Sequence, residues 1–174
     1  MVVEAGSFVG KVQSVVQKEL DSRQAGAESR FEEVSREFSQ NREILERYYV
    51  KNRFELVAEI LTNQLGYICK VEEEDEPKLD LSDRRRPRMA GFNRYSVTLM
   101  WYDPEKLKGY DIVVSSVDGR IEVLSILDHV QELPVESVTE EEVEVALFSA
   151  FEHPRVNSGD WVESVVGKGH ALGS

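Results

Sequence analysis

Between residues 94 and 130 apolar and polar side chains alternate. Tyr95, Val97, Leu99 and Trp101 are interleaved with Ser96, Thr98, Met100 and Tyr102. A period of two predicts strands, each with one face turned to a core. Two further runs, 109–116 and 120–130, flank Asp118-Gly119, a pair that tolerates the φ > 0 of a tight hairpin turn. Pairing about that turn sets Val117 opposite Arg120, Ser116 opposite Ile121 and Val114 opposite Val123. Tyr110, Ile112, Val114, Ile121, Val123 and Leu127 then share one face. The other face keeps Val113, Val117, Leu124 and Ile126 among Asp111, Ser115, Arg120 and Glu122. It is too apolar to be wholly wet, which makes those four residues candidate partner-binding positions.

Upstream the period changes to that of a helix. Phe8, Val12, Val15, Val16 and Leu20 recur at steps of three and four. Gln24-Ala25-Gly26 reads as a break or kink, since Gly in a helix costs about 1 kcal/mol relative to Ala. From Glu28 to Leu65 there is neither Gly nor Pro, and Phe31, Val34, Phe38, Leu45, Tyr48, Leu56 and Ile60 keep the helical step. Ser39-Gln40-Asn41 offers a join, because these side chains compete for backbone hydrogen bonds. Residues 44–65 are expected to pack on the sheet. Residues 8–38 are expected to form a helical hairpin or a partner helix, with Phe31, Val34 and Phe38 as further candidate partner-binding positions. Gly66 suits a helix C′ position.

Tyr67–Glu72 reads as a first strand. The acidic run 72–77 follows, and about twenty residues pass before the next strand, more than a hairpin loop needs, so 73–92 is expected to be a lid or a disordered connection. Near the C-terminus, Thr139 and Glu142 form a capping box, and Val138 can staple onto Val143. That helix should bury Val143, Leu147, Ala150 and Phe151 and stop at His153-Pro154. The glycine-bearing remainder reads as a loose tail that Trp161-Val162 could pin. These elements predict an α+β fold: a four-stranded antiparallel sheet, a meander with its hairpin at Asp118-Gly119, packed with long N-terminal helices and one C-terminal helix. The expected organisation is an N-terminal helix over 1–26 that could form an extension, an α+β domain over 27–152 with a mobile loop at 73–92, and a loosely ordered tail over 153–174.

Charge narrows the partners. Among 174 residues, 33 Asp and Glu outnumber 21 Lys and Arg, for a net charge of −12. That balance disfavours nucleic acid and anionic membranes unless a basic patch is segregated. Such a patch exists. Residues 72–83 sum to −6, whereas 84–94 sum to +5 through Arg84, Arg85, Arg86, Arg88 and Arg94. Arg84, Arg85, Arg86 and Arg88, beside Phe92 and Tyr95, are candidate anion-binding residues that could clamp phosphate or an RNA backbone. Pairing with the acidic neighbours is the competing and preferred account. No stretch approaches the ~20 apolar residues of a membrane span, and the first six residues lack the features of a signal peptide. A single cysteine, Cys69, excludes an intramolecular disulfide and suits a reducing compartment, so the cytoplasm is the expected location.

Candidate chemistry is sparse. His129, His153 and His170 have no metal-ligand spacing, and Cys69, in strand alternation with Tyr67 and Val71, reads as a structural thiol. Nucleophile-elbow, Walker and dinucleotide-binding motifs are absent from the sequence. No catalytic, cofactor-binding or metal-binding residue is assigned, and the chain points away from an enzyme. The leading expectation is an acidic protein-interaction module, an adaptor or chaperone-like binder, that pairs with itself or another protein. One alternative is a cone-type small-molecule binder or enzyme, with a pocket between sheet and helix near Tyr95, Trp101 and Tyr110. The other is RNA or phosphate binding through Arg84–Arg88.

Overall fold

A computed structural model describes residues 8–75, 93–126, 129–157 and 161–164. By compactness the chain divides into residues 1–37 and 38–174. The first unit holds the start of helix α1 (Phe8–Arg47); the second holds the end of α1 and every other element.

α1 is unbroken where the sequence predicts interruptions. Gly26 lies in open space, so it meets no steric demand, and side-chain hydrogen bonds at i,i+4 run before it, from Arg23 to Glu19, and across it, from Gln24 to Glu28. Asn41 does not compete with its own helix backbone. Its amide donates to the Asn93 carbonyl at 2.7 Å, and its oxygen accepts from the Ser116 hydroxyl at 3.0 Å. The interruption falls instead at Tyr48-Tyr49, where Tyr49 is left-handed (φ 53°), and α2 (Val50–Leu65) begins. α2 ends at Gly66, φ 68°, whose N–H reaches the Thr62 carbonyl.

Five strands follow in meander order: β1 (Ile68–Glu73), β2 (Tyr95–Asp103), β3 (Lys108–Val117), β4 (Arg120–Leu124) and β5 (Val130–Pro134). All pairings are antiparallel. α3 (Glu140–Glu152) comes next, with both bonds of the Thr139–Glu142 capping box formed. β6 (Arg155–Asn157) then pairs with β3 at Gly109–Asp111. The α+β architecture, the antiparallel sheet, the long N-terminal helices and the C-terminal helix agree with the sequence. The count of four strands does not, because β5 and β6 add to it. β5 is largely exposed and ends in Pro, and β6 has three residues, so neither carries an alternating apolar signal.

The hairpin register is the predicted one, with Val117 opposite Arg120 and Val114 opposite Val123. Asp118 and Gly119 both have positive φ, as a primed turn requires. One sheet face forms the core. Val97, Leu99, Ile112, Val114, Ile121 and Val123 meet Leu45, Val50, Phe54 and Leu61 from the helices, with Val143, Ala146 and Leu147 of α3.

Candidate functional site

The core face is not fully covered. Between α2 and α3 lies a cleft of about 340 Å³. Its α2 wall is built from Arg53, Phe54, Val57, Ile60 and Leu61, which recur at three and four residues and therefore share one side of the helix. Its α3 wall is Glu144, Leu147, Phe148 and Phe151 at the same spacing, and Leu99 and Ile112 form the floor. Carbon lines almost all of it. Charge is confined to the mouth, where the Arg53 guanidinium is held by Glu140 and Glu144, each at 2.6 Å. Three charges there leave one excess negative. Ile60 is 52% exposed and Phe148 62% exposed, so the apolar lining is open to solvent on both walls.

A second cleft, of about 240 Å³, is charged. It is lined by Arg42, Glu46, Lys51, Glu73 and Tyr95. Lys51 Nζ stands 2.8 Å from Glu73 Oε1, and the Tyr95 hydroxyl donates to Glu73 Oε2 at 2.6 Å. Those two partners, Lys51 first, hold the Glu73 carboxyl below its ordinary range. Burial, then the bond to Glu73, pushes the Tyr95 phenol well upward, so it stays a hydrogen-bond donor at neutral pH. Arg42 pairs with Glu46 and lies over the Tyr95 ring at 5.9 Å. These groups satisfy one another, and the cleft reads as a structural network.

The remaining candidates are dispersed. Among the partner-binding positions on the second sheet face, Val117 is buried, Val113 and Leu124 are half-buried and Ile126 is exposed. That face is also polar: Ser96 and Ser115 share a buried 2.8 Å hydrogen bond, and Glu122 accepts from Arg94 at 2.5 Å and Arg120 at 2.9 Å. Part of its cover is the segment 161–164, whose Val162 lies directly over Gly109. On α1, Phe31 is exposed, whereas Val34 and Phe38 are buried, Phe38 in the core against the Tyr95 ring. Arg84, Arg85, Arg86 and Arg88 lie outside the described residues. Trp101 stacks on Tyr110 at 5.7 Å and meets Phe151, and neither Trp101 nor Tyr110 lines the apolar cleft.

Among the described residues no group of three or more His, Cys, Asp or Glu is placed to hold a metal ion, and no helix is long and apolar enough to cross a membrane. Burial raises the half-buried Cys69 thiol, which a hydrogen bond with Thr62 only partly offsets. Sequence reasoning missed Phe148 as a site residue. The available signal was the Leu147-Phe148 pair, which widens the apolar arc of α3 beyond what one core contact requires. Comparison with protein-family models, curated proteins and solved structures gives no match, so the site is defined by its geometry.

Proposed function

We propose that the protein is a non-enzymatic, acidic protein-interaction module that works as a homodimer, with the first half of α1 as its self-associating surface. One observation carries this reading. Every residue from Phe8 to Arg30 is exposed apart from half-buried Gly10, yet Phe8, Val9, Val12, Val15, Val16 and Leu20 fall on one side of the helix. At about 100° per residue they span an arc of roughly 140°, wide enough for bundle packing. Helices in proteins owe most of their stability to burying such a face. A second copy of the chain supplies the same face by symmetry. A reducing compartment, the cytoplasm, suits a chain with one cysteine.

Sedimentation equilibrium on the full chain tests the reading. The expected result is a dimer that Val12→Asp with Val16→Asp converts to monomer, with the near-ultraviolet circular dichroism of the α+β domain unchanged and the helical signal lowered by the exposed first half of α1. A wild-type chain that stays monomeric at its highest soluble concentration would overturn it.

A further inference from the structure

We propose that the cleft between α2 and α3 docks an amphipathic α-helix of a partner protein, with apolar side chains at i, i+3 or i+4 and i+7 and with Lys or Arg at its flanks. The surface is distinct from the α1 stripe, so the proposal goes beyond the dimer reading. Three observations select this occupant.

The first is extent. Each wall contributes two helical turns, Arg53 to Leu61 and Glu144 to Phe151, about 12 Å of groove. Ile60 and Phe148, on the two walls, are each more than half exposed, and the apolar surface continues past the cavity onto Leu56, one turn from Ile60. A small molecule filling about 340 Å³ leaves Leu56 bare. A helix seated in the valley covers it.

The second is the lack of backbone partners. The floor is the side-chain face of β2 and β3, Leu99 and Ile112, whose backbones are already paired within the sheet. An extended peptide would bring unpaired N–H and C=O groups into a carbon-lined cleft, whereas a helix bonds its own.

The third is charge. Arg53 at the mouth is neutralised by Glu140 and Glu144 with one negative charge left over. α3 carries Glu140, Glu141, Glu142, Glu144 and Glu152 and no basic residue. That field repels a fatty-acid carboxylate or an acidic helix and attracts a cationic flank.

Fluorescence anisotropy on the full chain, with two designed helical peptides of identical leucine pattern, one carrying Lys and the other Glu at polar positions, tests the proposal. The Lys peptide is expected to bind and the Glu peptide not to. Phe148→Ala and Ile60→Ala, at exposed positions that do not threaten folding, should each weaken binding about tenfold, as for interface anchors. In the unsubstituted protein, amide NMR shifts should centre on Val57, Leu99, Ile112 and Leu147. Binding indifferent to both substitutions, equal binding of the Glu peptide, or shifts centred elsewhere would each overturn the proposal. So would a neutral apolar alcohol entering the cleft when the Lys peptide does not, or loss of a dimer on Phe148→Lys, which would make a second copy the occupant. A monomer that still binds the Lys peptide through Phe148 would sink the dimer reading and leave this one standing.

Discussion

Tyr95 donates a hydroxyl hydrogen bond to Glu73 Oε2 at 2.6 Å, while its ring stays buried in an edge-to-face contact with Phe38. The same side chain is thus core on one end and electrostatic clamp on the other, and it ties β2 to the end of β1. Tyr95→Phe keeps the ring and removes the clamp. The expected loss is about 1.5–2 kcal/mol in urea unfolding, the low end for a hydrogen bond to a charged group, since Lys51 still holds the other carboxylate oxygen.

Acid should unfold the protein through a few named carboxylates. Lys51, then Tyr95, lowers the Glu73 carboxyl. Burial would raise Glu122 and Asp103, but Arg120 and Arg94 outweigh it at Glu122, and the Lys106 backbone N–H with the Tyr67 hydroxyl outweighs it at Asp103. All three therefore bind protons less readily folded than unfolded. Their contribution is complete above the ordinary carboxyl value, near 4.5 for Glu, and disappears as pH falls through the lower native values. The thermal midpoint should be insensitive to these groups above about pH 5 and fall steeply below about pH 4. Glu73→Gln with Glu122→Gln should flatten that fall; an unchanged slope would contradict the assignment.

Arg155 grips Asp111 with two nitrogens, at 2.8 and 3.0 Å, and Asn157 adds a third bond at 3.0 Å. The partners are buried unequally, the Asp111 side chain being 5% exposed and that of Arg155 34%. Removing the arginine strands a buried carboxylate, whereas removing the aspartate leaves a guanidinium that water can reach. Arg155→Ala should cost about 3 kcal/mol and Asp111→Ala clearly less, measured by denaturant unfolding. The reverse order would refute this account.

Gly109 has no room for a side chain. A Cβ there would collide with Val162 and come within 2.8 Å of the Asn157 carbonyl oxygen. Gly109→Ala should cost roughly 1–3 kcal/mol by overpacking and shift the Trp161 indole N–H signal in NMR spectra, while the Asp118-Gly119 hairpin keeps its exchange protection.

The sheet was legible because its signals are local. Alternation at 95–102 and 110–123 fixed the inward face, and one Asp-Gly pair fixed the register. The α3 boundary was equally plain, since Thr139 and Glu142 stand at the spacing a capping box requires. What could not be read depends on distant partners. Asn41 looks like a helix breaker until Asn93 and Ser116 occupy its side chain, and Tyr49 gives no hint of a left-handed backbone. Arg155–Asn157 becomes a strand only because β3 presents an edge beyond the end of β4. The apolar cleft was illegible for a similar reason: a pocket between sheet and helix was expected near Tyr95, Trp101 and Tyr110, and only the placement of α2 beside α3 puts Ile60 and Phe148 across a gap.

β2 occupies one edge of β3 from Lys108 to Ser116, and the opposite edge is shared by β4, at Val113–Val117, and β6, at Gly109–Asp111. The two halves of that edge close by different routes. β4 arrives after a two-residue turn, at almost no cost in loop entropy, whereas Asp111 waits for Arg155 across the intervening chain. Loop entropy therefore favours closing the hairpin before β6. Cutting the chain before Arg155 would leave bare those N–H and C=O groups of Gly109–Asp111 that face β6, beside an otherwise finished sheet, a template for cross-chain strand addition. The three-residue strand thus covers a stretch of β3 edge that would otherwise be open to strand addition.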